Sequence, residues 1–94
     1  MKFTIPHSIK IGGHHYEIKL ENRRKEHGIY QVGSCSPNYQ KIWIDNNQHE
    51  EGQVVSLIHE IIEAINTDHD LNLPHQTIST LSECLFQILN DSQT

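Results

Sequence analysis

Apolar and polar residues alternate along the first half of the chain and fall into a helical rhythm along the second. Ile9 and Ile11, then Tyr16, Ile18 and Leu20, share one face, while Lys10, His15, Glu17 and Lys19 take the other. This period of two predicts strands at about 7–11 and 14–20, with Phe3 and Ile5 opening the first. Gly12-Gly13 between them suits a two-residue hairpin turn that needs positive φ. Residues 21–28 are polar and charged and predict an exposed connection. A strand resumes at Ile29-Tyr30-Gln31-Val32 and runs to about Cys35; Ser36-Pro37-Asn38 is turn chemistry. From Tyr39 to Asp45 the alternation returns, with Ile42 and Ile44 opposite Lys41 and Trp43. Two hairpins are expected, together a small antiparallel sheet of about four strands over residues 3–45.

The second half predicts two helices. The first, at about 48–69, begins after Asn46-Asn47, either of which could cap it, and carries Glu50 and Glu51 where acids suit the helix dipole. Val54, Val55, Leu57, Ile58, Ile61, Ile62 and Ile65 cover a face broad enough to imply packing on more than one side. Residues 71–74 predict a turn. A last helix at about 75–90 follows, with Ile78, Leu81, Leu85, Ile88 and Leu89 as its apolar stripe. The fold class expected is α+β, one domain over residues 1–94.

Composition narrows the function classes. A net charge of -5 argues against nucleic acid as a partner, because phosphate binding needs a basic face. Arg23-Arg24-Lys25, flanked by Glu21 and Glu26, decorates a solvated loop. The apolar run at 54–65 is short and broken by His59, Glu60 and Glu63, so no membrane span is expected. Residues 1–6 show no apolar signal core, so a cytoplasmic chain is expected. Cys35 and Cys84 are then reduced thiols, with Cys84 expected among buried apolar neighbours. Eight histidines are the compositional outlier, but they are scattered. His7, His14, His15, His27 and His49 suggest no shared role.

The chemistry lies in the first helix. His59-Glu60-Ile61-Ile62-Glu63 is H-E-x-x-E, one substitution from H-E-x-x-H, in which ligands at i and i+4 hold zinc and the glutamate between them is the general base. His59 and Glu63 project about 40° apart on the helix, a span of about 6 Å at Cβ that one ion can bridge. Glu60 is offset, suited to a metal-bound water rather than to the metal. The third ligand has three candidates. His69 copies the metzincin spacing, with Asn66 at the position where the chain turns. His75 follows the 71–74 turn. Glu83 offers a downstream helical carboxylate but faces away from its helix's apolar stripe. Two histidines and a glutamate leave a fourth position for water. The strand at 39–45 precedes the helix and could pair with an extended peptide.

Four segments carry a resemblance: Ile-Pro-His-Ser-Ile-Lys-Ile-Gly-Gly-His, Lys-Ile-Trp-Ile-Asp, Ser-Leu-Ile-His-Glu-Ile-Ile-Glu-Ala-Ile-Asn and Leu-Phe-Gln-Ile-Leu. Together they resemble small phage and prophage proteins of zincin-like type, over residues 5–90. The resemblance implies a minimal zincin-like metallopeptidase fold, a zinc ion on His59, Glu63 and His75 in preference to His69, and Glu60 as catalytic base. It implies peptide-bond hydrolysis by metal-activated water, in host cytoplasm if phage-encoded. Glu63 departs from the usual histidine, so the alternative is a zincin scaffold without catalysis that docks on a host protein, with a structural metal or none.

Overall fold

A computed structural model describes residues 3–22 and 33–92. Four strands and two helices follow in order: β1 (Ser8–Ile11), β2 (His14–Glu21), β3 (Gly33–Ser36), β4 (Lys41–Asp45), α1 (Glu50–Asp68) and α2 (His75–Asp91). The chain is α+β, as the patterning implies. The expected strand at 29–32 and the basic cluster at 23–25 fall outside the described residues.

The first hairpin forms as the alternation dictates. Gly12 and Gly13 take φ of 57° and 90°, and Ile9 pairs with Tyr16. The sheet, however, is mixed rather than antiparallel, with strand order β1-β2-β4-β3. β2 and β4 run parallel, setting Ile18 beside Ile42 and Leu20 beside Ile44, while β3 folds back on β4 as a hairpin. Burial explains the arrangement. Ile42 and Ile44 are fully buried, so β4 takes a central position. The small residues of β3, Gly-Ser-Cys-Ser, suit an edge. The strand at 39–45 is therefore interior, and among the described strands the edges are β1 and β3.

α1 lies across the sheet and buries Leu57 and Ala64 against Ile11, Tyr16, Ile18, Ile42 and Ile44. Its broad apolar face is explained by a second neighbour, because α2 packs on its other side. The helix starts differently from expectation. His49 occupies the N-cap without a side-chain cap, and Asn47 instead donates its backbone N–H and its side-chain amide to Asp45 Oδ1, at 3.2 and 3.4 Å. Gln48 clasps the first turns, donating to Ser56 Oγ at 3.1 Å and accepting at its carbonyl from Gln53.

Among the described elements α2 touches α1 alone. Of its expected stripe it buries Ile78, together with Ser82, whose hydroxyl donates back to the Ile78 carbonyl at 2.7 Å. Leu81, Leu85, Ile88 and Leu89 are exposed, with no further described element packed on them. Cys84 is exposed for the same reason, not buried. No described helix is long and apolar enough to cross a membrane.

Candidate metal centre

α1 presents His59 and Glu63 one turn apart on the side that α2 partly covers, so both are half-buried instead of solvated. The chain then leaves α1 and returns. Asp70 and Asn72 take the left-handed φ values of 52° and 60° that reverse it. Asn66 is helical rather than the turning residue, and its amide holds the returning strand of loop. Asn66 Oδ1 accepts from the Leu73 N–H at 2.9 Å, and Asn66 Nδ2 donates to the Leu73 carbonyl at 3.4 Å. Pro74 follows at the N-cap of α2, where its fixed φ suits a helix start. His75, the first residue of α2, is thereby delivered to His59.

The two imidazole rings lie 4.9 Å apart, tilted by 58°. One donor atom from each of His59, Glu63 and His75 lies within 4.8 Å of the others. A tetrahedral zinc ion holds its donors about 3.4 Å apart, so small side-chain rotations would close the set. Donor type also fits, two imidazoles and a carboxylate being a common zinc set. Burial lowers the pKa of His59; the carboxylate of Glu63 opposes that shift and His75 adds to it. The net effect favours the neutral imidazole that a metal requires. Ser79, one turn into α2, sits 3.4 Å from His75 Nε2.

Glu60 occupies a different place from its neighbours. It is 7% exposed, turned toward the sheet, with Oε2 only 3.1 Å from where a side chain on Gly33 would begin. The edge strand β3 and the carboxylate of Glu60 thus form one wall of a cleft of about 690 Å³, and His59, Glu63 and His75 line the same cleft. Glu83 lines it too, exposed and outside the three-donor group.

The structure does not bring His69 to this group. It is the C-cap of α1, exposed, and lines a separate shallow pocket with Ile9, Lys10, Ile11 and Gly12. Tyr39, in the β3–β4 turn, and Trp43, on β4, do not line the cleft either. Patterning alone missed Gly33 and Ser79. Glycine within a strand does signal close approach by another group, and at Gly33 that group is Glu60. Cys35 faces the cleft, but burial pushes its thiol up to about 12, and the negative charges of Glu60, Glu63 and Asp68 push the same way. That shift disfavours the thiolate that a nucleophile needs.

No family model, curated protein or solved structure matches this chain.

Proposed function

We propose that His59, Glu63 and His75 bind a zinc ion and that the chain is a minimal zincin-like metallopeptidase, with Glu60 as its base. What carries this reading is the convergence of three metal-type donors from two helices on a cleft that also holds a buried carboxylate. A bound zinc would supply a Lewis acid and an acidified water. The protein's own residues do the rest. Three protein ligands would leave one position for water. Glu60, whose carboxylate lies close to Gly33 on the same cleft, would take a proton and return it to a leaving amine. β3 offers a strand edge that no described strand pairs with, beside that carboxylate, where an extended peptide could lie.

The test uses protein purified without a metal-affinity tag. Elemental analysis should find zinc at one ion per chain, lost on His59→Ala and on His75→Ala. Glu60→Gln should keep the zinc and lose cleavage of a fluorogenic peptide library. A folded preparation that neither contains nor takes up zinc overturns the metal centre. Cleavage by the Glu60→Gln protein overturns the role of the base.

One observation favours a second reading, in which the metal is a clamp. Of the described elements α2 contacts only α1, with the Phe3 ring also against Phe86, and His75 is its first residue, so an ion shared with His59 and Glu63 would fasten its start. In that case zinc raises the melting temperature and no peptide is cut.

A further inference from the structure

The cleft holds one charged side chain for which the metal centre has no use. On α2, His75, Ser79, Ser82 and Glu83 fall within about 100° of arc, and all four line the cleft. His75 belongs to the three-donor group, Ser79 faces His75 Nε2, and the Ser82 hydroxyl donates to the Ile78 carbonyl. Glu83 stands outside that group, exposed, and its carboxylate makes no ion pair with a described residue. Two helical turns separate it from His75, a rise of about 12 Å.

The lining around it narrows what it could hold. The apolar side chains of the described lining are Val55 and Pro37, together with Cys35, so a large apolar group finds little to bury against. Glu63 would face the metal ion and Glu60 the proton. Glu83 has neither task, and a carboxylate at the wall of a cleft pairs with an ammonium or guanidinium group. An extended chain covers about 12 Å in about four residues. Fewer are needed once the length of a lysine or arginine side chain is counted.

We propose that Glu83 selects peptides carrying a lysine or arginine a few residues from the bond to be cut. This selectivity presupposes the zinc-dependent cleavage proposed above, but its test is a binding measurement that needs no cleavage. The Glu60→Gln protein, with zinc supplied, is titrated with short labelled alanine–serine peptides, each holding one lysine at a different position, and with the same set holding norleucine there. Fluorescence anisotropy reads the affinities. At one position, or two adjacent ones, lysine should bind about two- to fivefold more tightly than norleucine, and the advantage should fade as salt rises. Glu83→Gln should bring that ratio to about one, and Glu83→Lys should turn the preference toward glutamate. Glu17→Gln, which removes an equal charge outside the cleft, should leave the ratio as it was. Lysine that binds no better than norleucine at any position overturns the inference, as does an advantage that survives Glu83→Gln. Both results leave the zinc content and the cleavage assay standing. A protein that takes up no zinc and binds none of the peptides overturns the selectivity and the metallopeptidase together.

Discussion

The carboxylate of Glu60 occupies the space that a side chain on Gly33 would fill: an added Cβ would stand 3.1 Å from Glu60 Oε2 and 3.2 Å from the Trp43 carbonyl. The carboxylate can swing aside, but the backbone oxygen of the neighbouring strand cannot. Gly33→Ala is therefore expected to lower stability by about 1–3 kcal/mol, the usual range for overpacking. Glu60→Asp withdraws the carboxylate, so the cost of Gly33→Ala should shrink in that background. A thermal double-mutant cycle measures the coupling. Additive effects would show that the two residues do not compete for the space.

Asn66 is the residue that positions His75 without touching it. Its paired hydrogen bonds to Leu73 hold the loop that turns α2 back toward His59. Asn66→Ala removes both and leaves the half-buried Leu73 groups to find water, at about 1–2 kcal/mol. Zinc affinity should fall by up to about tenfold although every ligand remains. Calorimetric titration reads this directly. Unchanged affinity would mean that Pro74 and α1 place His75 unaided.

Zinc itself should raise the melting temperature. At a concentration about a hundredfold above the dissociation constant, mass action adds about 2.7 kcal/mol, roughly 10 °C or more for a domain of this size. His75→Ala should abolish the rise, and His69→Ala should leave it whole, because His69 faces another pocket. The reverse result would return the third ligand to the metzincin spacing.

Much of this arrangement is legible in the residues. Gly12-Gly13 and the alternation around it fix the first hairpin, and the 3.6-residue rhythm places both helices to within two residues of their ends. What is lost is long-range. Ile42 and Ile44 look the same whether β4 pairs with β2 parallel or antiparallel, and the choice depends on a crossover that local pattern does not encode. Leu81, Leu85 and Ile88 have core periodicity, yet nothing local reveals that no described element covers them. At the site, i and i+4 geometry foretells His59 with Glu63, since one helix sets it. Whether His69 or His75 joins them depends on where the loop reverses, and the reversal falls at Asp70 and Asn72, beyond His69.

Acid should act on the centre before it acts on the fold at large. Burial holds the pKa of His59 below its usual 6.5, with His75 pushing the same way against Glu63. The unfolded chain then takes up a proton at that position before the folded chain does. Stability is unaffected by this residue above about pH 6.5 and is lost as the pH falls through and below it. Melting curves of metal-free protein between about pH 7 and 5 should decline less steeply for His59→Gln than for wild type. Parallel curves would show that His59 is as solvated as a free histidine.

The two cysteines should differ sharply in reactivity. Cys35 stands on the edge strand among buried apolar groups, facing Glu60 and Glu63, and its thiol is pushed up to about 12. Cys84 stands exposed on α2. Only a thiolate attacks an alkylating reagent, so iodoacetamide at about pH 8 should label Cys84 and spare Cys35 until denaturant is added. Mass spectrometry of the two cysteine peptides distinguishes them. Because the folded state keeps Cys35 protonated while the unfolded chain ionises near its ordinary 9.0, stability should also begin to fall as pH rises above about 9. Cys35→Ser, which removes the ionisation, should soften that alkaline decline. Rapid labelling of Cys35 in the native protein would mean that the cleft wall at β3 opens far enough to wet the thiol and the neighbouring carboxylate alike.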